Sequence, residues 1–509
     1  MLILQLFKNK KALGIFLVLA LVIASLTLYF LSRSPAELSS QSVADLEDAA
    51  AAHPDSAQIY FQLGEAYFAA EKTGEALLAY KRSAELDGNF AEAHYGLGKY
   101  YLRQNDPALA LVSLKRAVEL DSQNALFFLE LANAYKAGQH PAEAVQSYEQ
   151  ALQLNPYLFQ AYYNLGVVRA EQEKFLEAIV DFKKALAVEP ESALAYYNLA
   201  LLYYKQTDYQ QALSSAQQAL VLDPNLKDTY KVLANIYLAL EDYPSAKEYY
   251  LKALIADPYD TLTSNNLGFA YQKLEDPDNA IKYYKQAVQL NTSWEEPYYN
   301  LGIVSLDLGQ LELAQEYFEQ TIKLNPYYFA AYNNLGAIQI RQNKLSEARQ
   351  TFTTLLKLKP DDAMALSNLG LIAYTQHADS EALEYLQKAV ELDPQSANAQ
   401  ANLATLLIEK EQFSAAKEHL QAALAINPEL PEAHFNLGVL FVRQNRYAEA
   451  VPELAKAIEL NPQIEDAYLY LATAYAATEE TDKARSTLTE AAKLFPESEA
   501  ISQQLASLK

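Results

Sequence analysis

Residues 193–224 read ALAYYNLALLYYKQTDYQQALSSAQQALVLDP, and this stretch decides the fold. It holds two helical patterns of apolar and small residues, which are separated by the polar segment KQTD and end at Asp223 and Pro224. Proline stops a helix because it lacks a backbone N–H and clashes with the preceding turn. The pattern therefore predicts two amphipathic helices followed by a tight turn.

The same pattern recurs every 34 residues along most of the chain. The proline occurs at eleven places, and every gap between them is 34 residues or a multiple of 34: Pro54, Pro156, Pro190, Pro224, Pro258, Pro326, Pro360, Pro394, Pro428, Pro462 and Pro496. Thirteen repeats therefore cover residues 57–498, and they begin at residues 57, 91, 125, 159, 193, 227, 261, 295, 329, 363, 397, 431 and 465. A fixed period of this length indicates an all-α solenoid of stacked helix pairs.

Small residues recur at fixed positions of the repeat, where position 1 is the first residue of each unit. Position 7 is Leu and position 20 is Ala in all 13 repeats, while position 8 is Gly in eight repeats and Ala in five. Glycine inside a helix costs ~0.5–1 kcal/mol relative to Ala, so its recurrence predicts close approach of a second helix. We expect aromatic or Leu side chains at positions 4, 11 and 24 to fill the remaining space. Position 11 departs from this rule at Arg169, Ser305, Gln339 and Ala373, where we expect looser packing.

These positions resemble the tetratricopeptide repeat (TPR), whose period and signature they match. The resemblance implies a right-handed superhelical solenoid of 13 helix-turn-helix units, with the first helices lining a concave groove and the second helices on the convex side. The repeats are also similar to those of O-linked N-acetylglucosamine transferases. No stretch outside residues 57–498 is large enough for a transferase domain, so we expect a protein that is not an enzyme.

The amino-terminal residues differ from the repeats. Residues 12–31 form an uncharged, mostly apolar run that is long enough to span a bilayer at ~1.5 Å rise per residue. Lys8, Lys10 and Lys11 precede it, which predicts a cytoplasmic tail over residues 1–11 and an extracytoplasmic repeat array. A cleaved signal peptide is the alternative. We expect residues 32–56 to form a linker and capping helix, and residues 499–509 a carboxy-terminal capping helix.

Composition excludes several functional classes. The chain has no Cys, so it cannot form disulfides or thiolate metal sites. Its net charge of -24 argues against nucleic-acid binding, which requires a surplus of Lys and Arg. The six His residues form no HExxH or other close pair, and no phosphate-binding Gly loop or nucleophile elbow is present. We therefore expect no cofactor, no metal and no catalytic residue, with proteins or extended peptides as partners.

Position 6 of the first helix is the most informative place to look for binding. It is Asn in eight repeats, although Asn is a mediocre helix former. A row of amides can bind the backbone of an extended peptide with little sequence demand, and it resembles the asparagine ladder of the transferase repeats. The alternative is that these amides only join one repeat to the next. The row comprises Asn164, Asn198, Asn266, Asn300, Asn334, Asn368, Asn402 and Asn436.

Other residues of the first helices extend this candidate groove. Tyr163, Tyr197 and Tyr299 at position 5 supply aromatic surface for a partner's side chains or, alternatively, for packing between repeats. Lys231 and Asn235, together with Asn266, match three of five places of the carboxylate clamp of chaperone-binding repeats.

The remaining clamp places, which need cations, hold Glu296 and Asn300. The sequence thus predicts a membrane-anchored scaffold that binds extended peptide segments. The alternative is a structural spacer that associates with copies of itself through its ends or its convex face.

Overall fold

The computed structural model describes residues 35–508, which form 28 α-helices and contain no strand. The chain divides into two compact units after Ala256. Unit 1 contains α1 (Pro35–Ala52), α2 (Ala57–Ala69), α3 (Thr73–Leu86), α4 (Ala91–Arg103), α5 (Pro107–Leu120), α6 (Ala125–Ala137), α7 (Pro141–Leu154), α8 (Phe159–Glu171), α9 (Phe175–Val188), α10 (Ala193–Lys205), α11 (Tyr209–Leu222), α12 (Asp228–Ala239) and α13 (Tyr243–Ala256). Unit 2 contains α14 (Thr261–Lys273), α15 (Pro277–Leu290), α16 (Glu296–Asp307), α17 (Leu311–Leu324), α18 (Phe329–Arg341), α19 (Leu345–Leu358), α20 (Ala363–Thr375), α21 (Asp379–Leu392), α22 (Ala397–Glu409), α23 (Phe413–Ile426), α24 (Pro431–Arg443), α25 (Tyr447–Leu460), α26 (Glu465–Ala477), α27 (Thr481–Leu494) and α28 (Glu499–Ser507).

The helices alternate as the 34-residue period predicts. Even-numbered helices from α2 to α26 are the first helices of repeats 1–13, and odd-numbered helices from α3 to α27 are the second helices. The all-helical solenoid that the sequence predicts is thereby confirmed.

The turn inside each repeat has one fixed backbone conformation. Position 15 has a positive φ, between 56° and 72°, in all 13 repeats, and only repeat 8 places a glycine, Gly309, there. The next residue closes the turn by donating its N–H to the carbonyl of position 11, as Lys72 does to Tyr67 at 2.9 Å. This is the Schellman cap, which satisfies carbonyl groups at the end of a helix.

Small residues bring the two helices of a repeat together. The Ala at position 20 has no exposed surface in any repeat. A Cβ added to Gly268 would lie 2.7 Å from Cδ1 of Tyr284, and one added to Gly302 would lie 2.7 Å from Cε1 of Phe318. In these two repeats, glycine at position 8 leaves the room that the ring at position 24 of the second helix occupies, which is the close approach that the sequence predicts.

Single helices cover the outer repeat of each unit at the chain ends. In α1, Val43 and Ala50 are buried against Leu63 and Ala79 of repeat 1. In α28, Ile501 has no exposed surface and packs in the core of the last repeat. Both helices shield apolar surface that a terminal repeat would otherwise expose.

The predicted membrane segment, residues 12–31, lies outside the described residues. Among residues 35–508, no helix has both the length and the apolar character that crossing a bilayer requires.

The four departures at position 11 have different structural outcomes. Ser305 and Ala373 are buried. Arg169 forms ion pairs with three carboxylates, and Gln339 accepts a hydrogen bond from the hydroxyl of Thr351 at 2.8 Å. Polar side chains at this position therefore make contacts that differ from ring packing.

Candidate peptide-binding face

The candidate site is the surface that positions 2, 5, 6 and 9 of the first helices form within each unit, which we call the first-helix face. These positions are three or four residues apart, so they share one side of a helix. The Asn side chains at position 6 are half-buried on this face, except Asn436, which is 8% exposed.

In unit 1, the Asn side chains at position 6 donate to the preceding repeat. Nδ2 of Asn164 donates to Oδ1 of Asn133 at 3.0 Å. Nδ2 of Asn198 donates to the hydroxyl of Tyr163 at 3.1 Å, and also to the carbonyl of Leu194 one helical turn earlier at 2.9 Å. These amides thus join neighbouring first helices.

Unit 2 repeats this geometry four times. Asn300 donates to Oδ1 of Asn265 at 3.1 Å, and Asn334 donates to the hydroxyl of Tyr299 at 3.2 Å. Asn402 donates to the hydroxyl of Ser367 at 3.2 Å, and Asn436 donates to the hydroxyl of Thr405 at 2.8 Å. Asn266 accepts a longer bond, 3.5 Å, from Asn265. Asn368 is half-buried at the same position of α20. The acceptor is always position 5 or position 9 of the preceding repeat.

These hydrogen bonds involve the amide nitrogen of each Asn side chain, and the amide oxygen takes no part in them. Among the described residues, none donates a hydrogen bond to Oδ1 of Asn300, Asn334 or Asn402, and these oxygens retain solvent access. The tyrosine hydroxyl that accepts from Asn334 keeps its own proton for donation. Chemically, the row presents fixed acceptors, which suit the N–H groups of an extended backbone.

The three tyrosines of the candidate site are half-buried in packing contacts. The ring of Tyr163 stacks on Phe159 at 5.7 Å between centroids, and Tyr299 lies 4.7 Å from Tyr328. Burial raises the pKa of the Tyr197 hydroxyl, and the nearby Asp228 carboxylate raises it further. The exposed edges of these rings remain part of the first-helix face.

The clamp candidates Lys231 and Asn235 lie on α12 of unit 1. Asn235 accepts a hydrogen bond from the Tyr250 hydroxyl at 2.6 Å, and Lys231 is half-buried on the same helix in unit 1. In unit 2, Glu296 occupies a place where a clamp needs a cation. Burial raises the pKa of the Glu296 carboxyl, and the neighbouring Glu295 raises it further. An acidic group at this place disfavours a carboxylate ligand.

Exposed apolar side chains at position 2 were missed by the sequence reasoning. Leu126 and Leu194 in unit 1 are 46% and 52% exposed, and Leu262 and Met364 in unit 2 are 51% and 61% exposed. Their signal in the sequence was an apolar residue at a position that faces no other helix. They add apolar contact area beside the Asn row.

No metal site is formed by the described residues, because no three of their His, Asp or Glu side chains come together as ligands.

Comparisons with known proteins agree on the repeat. Sequence models of the tetratricopeptide repeat match residues 64–105, 91–124, 142–172, 168–207, 193–226, 402–463 and 441–508. The model of the Cilia and flagella-associated protein 70 C-terminal domain matches residues 227–430. No curated protein matches the chain.

Several solved structures are similar to the chain at low sequence identity. The Cut9–Hcn1 hetero-tetramer of APC/C has a TM-score of 0.44 and 17% identity, covering 88% of this chain and 96% of that chain. Yeast Tom70 has a TM-score of 0.37 and 18% identity, covering 81% and 100%. YrrB, described as a TPR protein with an unusual peptide-binding site, has a TM-score of 0.32 and 22% identity, covering 36% and 95%. The matching sequence models and the observed helix pairs establish that the chain carries tetratricopeptide repeats.

Proposed function

We propose that this protein is a non-catalytic scaffold, anchored in a membrane by residues 12–31, that binds extended segments of partner proteins on its first-helix face. The observation that carries the proposal is the Asn row, in which Asn300, Asn334 and Asn402 donate from Nδ2 to the preceding repeat while their Oδ1 atoms remain accessible.

Preorganisation supports binding by this row. The inter-repeat bonds fix the rotamer of each Asn side chain before a ligand arrives, so less side-chain entropy is lost on binding. Acceptors one repeat apart would bind alternate stretches of a peptide backbone, which gives affinity with little sequence demand. Exposed apolar groups such as Leu262 and Met364 would contribute side-chain contacts.

The membrane part of the proposal rests on sequence. An apolar run at residues 12–31 follows a cluster of Lys residues, which favours a cytoplasmic amino terminus. The repeat array would then lie on the extracytoplasmic side, near the membrane, where it could hold segments of envelope or secreted proteins.

A second candidate function is self-association through the second helices of unit 1. Leu78 and Val112, both at position 22, are 69% and 67% exposed, and Val180 at the same position is 49% exposed. Such residues would suit contact with another copy. The polar character of the groove amides has no role in that alternative.

The experiment compares two double variants of the full-length protein in detergent. Asn334→Ala with Asn402→Ala removes the amides, whereas Tyr299→Phe with Ser367→Ala removes only their acceptors. Both pairs delete the same two inter-repeat bonds, so we expect similar losses of stability, about 0.5–1.5 kcal/mol per bond.

The readout is fluorescence anisotropy with a panel of labelled, unstructured 20-residue peptides of mixed sequence. If the amides bind peptide, the Asn variant should lose about tenfold more affinity than the acceptor variant, from two lost bonds of ~0.5–1.5 kcal/mol each. Equal losses in the two variants would show that the amides only join repeats. A concentration-dependent increase in mass without peptide binding would support the second candidate.

A further inference from the structure

In repeats 6 and 7, a stacked pair of tyrosine rings fills a site on the second-helix side. In repeat 7, Tyr271 at position 11 stacks on Tyr283 at position 23, with centroids 5.5 Å apart and planes inclined by 4°. In repeat 6, Tyr237 and Tyr249 stack at 5.5 Å and 15°. The chain therefore shows what this site accommodates, namely stacked phenol rings.

Repeat 9 lacks both rings. Gln339 replaces the tyrosine at position 11 and Thr351 the tyrosine at position 23, and the threonine hydroxyl donates to Oε1 of Gln339 at 2.8 Å. Position 26 is also short, because Thr354 stands where repeats 6 and 10 carry Lys. Three small or flexible side chains thus leave space where repeats 6 and 7 place rings.

The result is an open cleft of about 350 Å³, which we call the Gln339 cleft. Its floor is formed by Tyr332, Leu335 and Gln339, which are 5%, 6% and 5% exposed. A cavity of about 150 Å³ can hold a benzene ring, so the volume is sufficient for a phenol. Ile322 of the preceding repeat contributes an apolar wall.

One polar atom of the cleft lacks a hydrogen-bond partner among the described residues. The Nε2 of Gln339 donates to no described residue, although the side chain is 95% buried. This N–H group is available to donate, so a ligand that supplies an oxygen atom at this point would be favoured.

We propose that the Gln339 cleft binds a tyrosine side chain of a partner polypeptide. The ring would lie on Leu335 and Ile322, in place of the absent ring pair, and its hydroxyl oxygen would accept from Nε2 of Gln339. Charged side chains of both signs, Glu319 and Lys323, line the mouth and would face the partner's backbone. This site lies between second helices, so it is separate from the first-helix face and does not depend on the Asn row.

The probe for this proposal is the amide of N-acetyl-3-fluorotyrosine, followed by fluorine NMR line broadening with the full-length protein. We expect broadening that competes with unlabelled N-acetyltyrosine amide. Gln339→Ala should weaken binding of the tyrosine probe about threefold to tenfold, because one hydrogen bond is lost. The matching fluorophenylalanine probe should bind more weakly to the native protein and be affected less by this substitution.

The decisive variant refills the cleft from within. Gln339→Tyr with Thr351→Tyr restores the ring pair of repeats 6 and 7 and should abolish broadening while the thermal midpoint is kept or raised. Thr354→Lys, which restores the residue of repeats 6 and 10 at the mouth, provides an independent variant if the double substitution fails to fold. The proposal would be overturned if the native protein caused no broadening or bound the phenylalanine probe equally well. It would also be overturned if broadening stayed unchanged with a folded refilled variant or with Thr354→Lys.

Discussion

Arg169 provides the sharpest test of how a polar residue at position 11 is stabilised. Its guanidinium donates hydrogen bonds to Asp181 of the same repeat at 2.6 Å and to Glu149 of the preceding repeat at 2.6 Å, and it forms an ion pair with Glu177 at 3.2 Å. We consider Arg169→Met, which keeps an extended side chain and removes the charge. The change leaves three carboxylates without their shared cation.

The magnitude follows from the burial of the partners. The side chain of Asp181 is 2% exposed, and removing one partner of a buried ion pair costs ~3–5 kcal/mol. Glu149 and Glu177 are 48% and 55% exposed, so the loss of each of these pairs should cost at most ~1 kcal/mol. We therefore expect Arg169→Met to reduce the stability of the surrounding repeats by about 3–5 kcal/mol.

A second substitution should reverse most of this loss. Position 23 is Ser in repeats 2, 3 and 5, so Asp181→Ser places a residue there that the same fold already accepts. In the background of Arg169→Met, it removes the unpaired buried carboxylate. The double variant should lie within ~1–2 kcal/mol of the native protein, because replacing both partners avoids an uncompensated charge.

The stability of the Arg169→Met variant should depend on pH in a defined direction. Burial raises the pKa of Asp181 above its ordinary value of 3.8, and Arg169 opposes this by hydrogen bonding and charge. Without Arg169 the pKa rises further, so the folded variant binds more protons than the unfolded chain. Stability is then lost as pH rises from 3.8 through the raised pKa. The difference in the free energy of unfolding between Arg169→Met and the native protein should become smaller as pH falls toward 3.8.

The assay combines urea unfolding at several pH values with hydrogen exchange resolved by peptide. Exchange should accelerate in α7, α8 and α9, because each repeat contacts mainly its neighbours. The reasoning is refuted if Arg169→Met costs less than ~1 kcal/mol, the range of an exposed pair, or if Asp181→Ser does not restore stability.

Two further predictions concern the backbone and the membrane. A Cβ on Gly74 or on Gly309 would meet no atom within 4 Å, but only Gly309 has a positive φ, 72°. Gly74→Ala should therefore stabilise its helix by ~0.5–1 kcal/mol, and Gly309→Ala should destabilise its turn by ~1 kcal/mol. If hydrogen exchange showed that both substitutions stabilise, or that both destabilise, the local structure, this expectation would be wrong. The native chain has no Cys, so Ser39→Cys provides a single label for topology. A membrane-impermeant maleimide should label it in intact cells or spheroplasts, and labelling only after lysis would reject the extracytoplasmic orientation.

The sequence predicts those parts of the fold that depend on side-chain size. Gly or Ala at position 8 and Ala at position 20 recur because the two helices lie close together there and leave no space for larger side chains. The positive φ at position 15 could not be predicted in the same way. Glu occupies this position in repeats 1, 4 and 6, for example, and Thr207 in repeat 5. Hydrogen bonds of the Schellman cap fix the conformation there, and they involve the backbone rather than the side chain.

The candidate site was only half predictable for a related reason. The donors of the Asn row share one residue type and therefore appear as a periodic pattern. Their acceptors are Tyr299, Asn265, Ser367 and Thr405 in unit 2, at two different positions, so they form no pattern in the sequence. The same limit applies to the Gln339 cleft. Gln339 departs visibly from position 11, but the cleft also requires short residues at positions 23 and 26 of the second helix.

The difference between the recurrent Asn donors and their variable acceptors bears on why Asn recurs. If the amides served only to join repeats, donor and acceptor would be expected to recur as a fixed pair. Instead, acceptors as different in length as Tyr299 and Ser367 both lie 3.2 Å from their Asn donor. The spacing of the first helices must then be set by backbone packing at the small residues, with the hydrogen bonds adapting to it. Joining alone would tolerate other donors at position 6, so the recurrence of Asn in eight of the 13 repeats favours the proposed demand from outside the fold, such as the backbone of a bound peptide.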